Sequence, residues 1–366
     1  MSKPYKLYGA EFSLYSGKAR SYLRKKGIPF IEVNPSARVY KRFILPRTGV
    51  AFIPVVQTPD DQVIQDTSDI IDTLEVKFPE LSVYPSCPLQ KLVALMLEVY
   101  GDEWLVIPAM HYRWNFPDSN QPFVYQEFGK MMMPWLPRIL ARRIGMKVGS
   151  RMNSFVPLLG IDETTIPAVE DSYSALLDEL NKHFSAYDYL LGDRPSIGDY
   201  GMIGPLYAHL YRDPYPGKMM RERAPQVARW VERMQSPEKS TGSFVTQGQV
   251  PASLLPVVRR MAAEQIPVLR ATINALAQWK SENSQAEIPR SIGKHDFRMA
   301  GATGSRLVMP YNLWMWQRVL DHYHALTTEE QRQSLQALES VGVGAGDFEL
   351  MPFRLARENN RLIFVD

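Results

Sequence analysis

Two hydrophobic periods alternate through the first eighty residues. A strand-like run, Tyr5-Lys6-Leu7-Tyr8-Gly9, leads into a turn. From Gly17 to Gly27, residues Ala19, Tyr22 and Leu23 recur at helical spacing, and Gly27 reads as a stop signal. Phe30-Ile31-Glu32-Val33 returns to a short strand pattern. Parallel strands of one sheet need a crossover, so this order predicts a β-α-β unit. After a looser stretch over 34–50, Val55–Thr58 and Gln62–Gln65 flank the turn-forming Pro59-Asp60-Asp61 and predict a hairpin. A helix follows with Ile70, Ile71, Leu74 and Phe78 on one face, ending before Pro79. The expected order is βαβ-ββα.

Residues 79–90 hold three prolines and read as a linker. From Lys91 onward the period is almost only helical. Leu92, Leu95, Met96 and Val99 form one stripe; Tyr173, Leu176, Leu177, Leu180, Phe184 and Tyr187 form another. The segment PSIGDYGMIGPLYAHL opens on Ser196-x-x-Asp199, a capping box whose hydroxyl and carboxylate satisfy helix N–H groups. A polar, turn-rich stretch over 236–250 marks a second boundary. Beyond about 251 the pattern is mainly helical again, with Ile266, Leu269, Ile273 and Leu276 in register. No internal repeat stands out. The fold class expected is α/β plus all-α, in three parts: residues 1–82, 91–235, and a mainly helical extension over 236–366.

Composition narrows the class. With 45% hydrophobic and 22% charged residues, the 366-residue chain has the profile of a soluble globular protein. A net charge of +3 gives no global argument for nucleic acid, and no arginine-rich run is interleaved with aromatics. The start, MSKPYKLYG, lacks the apolar stretch of a signal peptide. No uncharged run approaches the ~18 residues that cross a bilayer. The single cysteine, Cys87, leaves no intrachain disulfide and no thiolate zinc cluster, so the expected compartment is the reducing cytoplasm.

The turn after the first strand carries Ser13-Leu14-Tyr15-Ser16, where a thioredoxin-like fold often holds Cys-x-x-Cys. Three stretches bear on this. LYGAEFSLYSGKARSYL is similar to the first strand and catalytic turn of the glutathione transferase superfamily. Ile53-Pro54-Val55-Val56 resembles that family's cis-proline segment. Gln65-Asp66-Thr67-Ser68-Asp69-Ile70-Ile71 resembles the acidic-plus-hydroxyl pair that opens its third helix. Ser196–Asp199 matches a folding motif of the family's helical domain. The resemblance spans roughly residues 5–235; the remaining tail exceeds the usual family length and has no family role. It implies a thioredoxin-like glutathione-binding domain followed by a glutathione-transferase-like helical domain.

The resemblance also implies a site. Glutathione is a tripeptide with a carboxylate at each end and a thiol between, suited to pairing against a sheet edge. A cis Pro54 would turn the backbone of Val55 toward the cysteinyl part. Asp66 and Thr67, at a helix start, would hold the γ-glutamyl end, Thr67 through its hydroxyl and N–H and Asp66 through the ammonium; either residue is also an ordinary helix cap. Lys41 and Arg42 are candidates for the glycyl carboxylate. Ser13 aligns with the catalytic hydroxyl, with Tyr15 and Ser16 in reserve. A thiol with a pKa near ~8.5 is mostly protonated at neutral pH, and one hydroxyl hydrogen bond to a charged acceptor contributes ~1.5–3 kcal/mol. That lowers the pKa by one to two units if the bond favours the thiolate alone, and with the added pull of the adjacent helix N-terminus the thiolate becomes dominant without a protein cysteine.

The second substrate of such proteins sits against the first long helix of the helical part, here Glu98–Trp114. Tyr100, Trp104, His111, Arg113 and Trp114 are the candidate pocket residues, and Met131–Trp135 a further wall, though aromatics at this density also build cores. They suggest a hydrophobic electrophile. Gly342-Val343-Gly344-Ala345-Gly346 precedes no β-α unit and is a poor dinucleotide loop. His322 and His324 fall on different sides of a helix and make a poor metal chelate. The expectation is a cytoplasmic, detoxifying glutathione transferase, a homodimer by resemblance, using glutathione as co-substrate and no metal, with no nucleic acid and no membrane span. The alternative is a non-catalytic binding or interaction protein on the same fold.

Overall fold

The structure, a computed structural model, describes residues 3–283 and 287–365. Strands β1 (Tyr5–Tyr8) and β2 (Phe30–Val33) flank helix α1 (Leu14–Lys26). A short helical stretch over 37–48 contains a π-turn at Tyr40–Ile44 and ends on Gly49. Then come β3 (Val55–Gln57), β4 (Val63–Gln65) and α2 (Thr67–Lys77). The helices that follow are α3 (Pro88–Val99), α4 (Val106–Trp114), α5 (Pro117–Met132), α6 (Arg138–Asn153), α7 (Ile166–His183), α8 (Ile197–Ala208), α9 (Pro214–Arg223) and α10 (Pro225–Gln235). The tail adds α11 (Leu255–Glu264), α12 (Ile266–Glu282), α13 (Tyr311–His324) and α14 (Thr328–Leu338). It also contains two hairpins, β5–β6 (Lys294–Met299, Ala302–Leu307) and β7–β8 (Arg354–Glu358, Arg361–Val365). The fold is therefore a mixed sheet with helices, then a helical domain, then a mainly helical extension.

The chain divides into two compact units: one comprises 1–83, 108–156 and 202–241, the other 84–107, 157–201 and 242–366. In the first, the four-stranded sheet has the order β2-β1-β3-β4. β1 and β2 are parallel, while β3 is antiparallel to both its neighbours. Leu7, Val55 and Val56 are fully buried, as are Ala19, Tyr22 and Leu23 of α1 and Ile70, Ile71 and Leu74 of α2. The two helical stripes meet, since α1 packs against both α2 and α10. α5 and α6 pack against each other along their length. A Cβ on Gly145 would lie 1.8 Å from the Tyr125 carbonyl oxygen, so only glycine allows this approach.

In the second unit α3 packs against α11, α13 and α14. The expected capping box is formed: Asp199 accepts from the Ser196 N–H and hydroxyl, both at 2.9 Å, and also from the Leu190 N–H at 3.0 Å. The two hairpins were not foreseen. Each turns through two residues of positive φ, Ala300-Gly301 and Asn359-Asn360, the type I′ pattern. The run Tyr100–Trp104, read as uninterrupted α-helix, is a π-turn between α3 and α4. Gly342 ends a 3-10 turn in left-handed geometry, a capping role unrelated to any dinucleotide loop. His322 and His324 each bond a different backbone carbonyl, of Pro88 and Phe348. Among the described residues, no helix is long and apolar enough to cross a membrane, and no group of three or more His, Cys, Asp or Glu is placed to hold a metal.

Candidate functional site

Strand direction and register bring the candidate segments together. Val33, Tyr8, Val55 and Gln65 stand in one row across the sheet. β1, β2 and β4 end at this row, and β3 begins at it. Four chain segments therefore leave the sheet at the same end: Gly9–Ser16, the stretch toward Lys41 and Arg42, Ile53-Pro54, and Asp66-Thr67. Neighbouring strands lie about 4.8 Å apart, so the row spans about 14 Å. Ligands of open sheets that contain helices collect at the carboxyl ends of the strands, where helix N-termini point.

Ser13 caps α1. Its backbone is extended (φ −90°, ψ 127°), its carbonyl accepts from the Gly17 N–H at 2.9 Å, and its hydroxyl oxygen accepts from the Ser16 N–H at 3.4 Å. A hydroxyl that accepts from the backbone still has its own proton to donate. The first turn of α1 carries no acid, so nothing there neutralises the positive helix end. Ser13 and Tyr15 are half-buried, whereas Ser16 is sealed at 0% exposure and its hydroxyl has no hydrogen-bond partner among the described residues. Of the three hydroxyls, Ser16 is thus the least able to meet a ligand. A Cβ on Gly9 would come within 3.1 Å of the Ser16 side chain, which explains glycine at the strand exit.

The Ile53-Pro54 peptide is cis, and the buried Val55 opens β3 between Tyr8 and Gln65. Asp66 caps α2, its carboxylate accepting from the Ser68 N–H at 2.9 Å. Its φ of 86° is costly for a side chain other than glycine and turns the chain sharply into α2, which Thr67 begins. Lys41 and Arg42 lie exposed on the π-turn, and neither makes an ion pair among the described residues. Arg47, close by in sequence, is taken up by Asp61 at 3.3 Å and by the Asp61 carbonyl at 2.7 Å.

The five residues expected at a second-substrate pocket are all buried. Tyr100 and Trp104 belong to the second unit, where the Trp104 indole N–H donates to Glu264 at 3.0 Å. Burial pushes the Tyr100 phenol well above its usual pKa, and the Glu264 charge adds to this. His111, Arg113 and Trp114 belong to the first unit. His111 Nδ1 lies 2.8 Å from the Asn115 side-chain amide, and Trp114 stacks on Phe128. Arg113 is spent on structure. It grips Asp213 through two bonds of 2.6 and 2.7 Å and donates to the carbonyls of Phe12 (3.0 Å) and Ala208 (2.9 Å). Four of the five guanidinium N–H groups are spent on these contacts, one of which ties down the residue before Ser13.

Other residues that hold this turn went unread in the sequence. Arg20, fully buried in α1, pairs with Glu32 at 2.8 Å through Nε and makes a second, closer contact through Nη2; Glu11 is 3.5 Å away. The Tyr207 hydroxyl donates to Glu11. Burial raises the Tyr207 phenol to about 12, helped by that bond. For Glu11 burial pushes upward, but Arg20 and the Tyr207 bond outweigh it and leave the carboxyl below its usual pKa. His209, 3.0 Å from the Ala109 carbonyl, is kept neutral by burial and by Arg113. No local sequence signal announces the Glu11–Tyr207 or His209–Ala109 contacts, whose partners lie 196 and 100 residues apart.

The first unit thus carries a thioredoxin-like sheet, with a hydroxyl-capped helix and a cis-proline at one row, in a chain that is otherwise mainly helical. Residues 7–82 match the family model "Glutathione S-transferase, N-terminal domain", and residues 163–233 match "Glutathione S-transferase, C-terminal domain". These two matches assign to residues 7–82 and 163–233 the N- and C-terminal domains of the glutathione transferase superfamily. No curated protein matches it by sequence. Solved structures similar to it include a glutathione S-transferase from Rhodospirillum rubrum F11, with 18% identity and a TM-score of 0.39 over 68% of this chain and 97% of that one. Another is a glutathione S-transferase from Methylobacterium radiotolerans in complex with glutathione sulfonate (20%, TM-score 0.40, 67% and 99%). A third is the beta-etherase LigF from Sphingobium sp. strain SYK-6 (19%, TM-score 0.42, 64% and 96%). These likenesses are too remote to carry an argument about this chain.

Proposed function

We propose that the protein binds glutathione along the row Tyr8–Val55–Gln65 and activates its thiol for attack on an electrophilic small molecule. The observation that carries this reading is the convergence, at one end of one sheet, of Ser13, Val55 and the Asp66-Thr67 helix start. A fully extended tripeptide is about 10 Å long, comparable to the ~10 Å from Tyr8 to Gln65 across three strands. The cysteinyl backbone pairs with Val55 beside Pro54, and the γ-glutamyl carboxylate meets the N-terminus of α2 at Thr67, with its ammonium at Asp66. Lys41 or Arg42 takes the glycyl carboxylate.

Chemistry then falls to Ser13. Its O–H donates to the sulfur, and the unneutralised N-terminus of α1 adds to the pull on the anion. Tyr15 is the reserve donor. Arg113, Asp213 and His209 act one step back, as positioning residues for the turn. Isothermal titration of glutathione into the wild type and into Asp66→Ala tests the binding half. Saturable heat in the wild type that the substitution abolishes is the expected result; no heat at millimolar glutathione overturns the proposal.

A further inference from the structure

Helix α6 faces two ways. One side, with Ala141, Gly145 and Gly149 repeating every fourth residue, is pressed onto α5: Cβ atoms on Gly145 and Gly149 would meet Tyr125 at 1.8 and 2.7 Å. The side away from α5 is open and carries Arg143, Lys147 and Arg151, with Arg142 at its edge; exposed Arg138 sits in the first turn on the glycine side, and none of the five makes an ion pair among the described residues. Between those cations stand exposed apolar side chains, Ile139 at 75% and Leu140 and Met146 at 46% each. At 100° per residue, Ile139 and Met146 share one flank with Arg142, and Leu140 shares the other with Lys147 and Arg151. The turns at either end add exposed Trp135 and Phe155.

Charge selects the occupant. No acid occurs from Phe128 to Ile161, and the six cations in that stretch exceed the net +3 of the whole chain, so the rest of the protein is net acidic. A two-fold contact between copies through this face would set cations against cations. Aliphatic side chains set among arginines suit phosphate headgroups over acyl chains better than a nucleic-acid groove, which gives Ile139 and Met146 no partner. We propose that the open face of α6 docks on an anionic lipid surface, lying in the interface without crossing it.

Flotation with vesicles tests this, using phosphatidylcholine mixed with equal parts of phosphatidylglycerol and, separately, phosphatidylcholine alone. The wild type is expected to float with the anionic vesicles, to be released as salt rises, and to ignore the neutral ones. Arg142→Gln with Arg143→Gln weakens partition by about fivefold for each cation removed. Ile139→Ser with Met146→Ser, both at exposed positions, also weakens it, while circular dichroism and glutathione binding stay those of the wild type. Equal binding to neutral vesicles, or no binding to anionic ones, overturns the proposal. So does binding to a DNA duplex that needs the arginines but not Ile139 and Met146.

Discussion

Replacing Arg113 by Met separates a positioning role from a catalytic one. Arg113 is 2% exposed and Asp213 0%, and the guanidinium satisfies both Asp213 carboxylate oxygens and the carbonyls of Phe12 and Ala208. A buried acceptor left unsatisfied costs about 1–3 kcal/mol; the Ala208 carbonyl loses its guanidinium partner, while the Phe12 carbonyl keeps His209. Breaking a buried ion pair on one side typically costs about 3–5 kcal/mol, and that is the expected loss in urea unfolding at neutral pH. The sign of the pH dependence follows from Asp213. Burial already holds its carboxyl above the usual 3.8, against the opposing pull of Arg113 and Arg212. Removing Arg113 raises it further, and the folded variant then binds a proton that the unfolded chain releases. The variant's deficit is therefore smallest below the ordinary carboxyl pKa and grows as pH climbs through the raised folded value. Arg113→Met combined with Asp213→Leu recovers most of the loss, because no charge is left buried. A single variant within about 0.5 kcal/mol of wild type, or a deficit that does not change with pH, refutes the reasoning.

Three further outcomes follow from local geometry. Gly145→Ala forces α5 and α6 apart, since the new Cβ would sit 1.8 Å from the Tyr125 carbonyl; a loss of about 1–3 kcal/mol is expected in thermal or urea unfolding. Asp199→Ala strands the buried Leu190 N–H and the Ser196 N–H and hydroxyl, and at about 1–3 kcal/mol for each lost partner the second unit is destabilised by at least about 3 kcal/mol by the same measurement. Ala300→Gly relieves a φ of 44° at the β5–β6 turn and stabilises by about 0.5–1 kcal/mol; a loss of stability would show that the turn geometry is wrong.

What the sequence made legible was local. The capping box at Ser196–Asp199, the turn at Ser13, the proline before β3 and the Asp66-Thr67 helix start all depend on residues within a few positions of one another. At the three helix starts the backbone geometry is set by short-range hydrogen bonds within the motif, whereas the proline is legible through the family resemblance. Arg113 shows the limit. As a cation among aromatics it reads as pocket polarity, but its partners Asp213, Ala208 and Phe12 lie about a hundred residues away in either direction. Trp104 is similar: its hydrogen bond to Glu264 joins the helical run to the tail, a contact that no helical stripe reveals. The hairpins were missed for another reason. Asn359-Asn360 is a usable turn signal, but Arg354–Glu358 alternates weakly and was read with the helical tail.

The central claim is that Ser13 holds a glutathione thiolate at the N-terminus of α1. Its most direct test is an ultraviolet titration of the thiol of glutathione bound to the wild type and to Ser13→Ala. The account predicts a bound thiol pKa one to two units below the free value of about 8.5, returning most of the way in the variant. A bound thiol that titrates at the free value, or one equally lowered in Ser13→Ala, contradicts it.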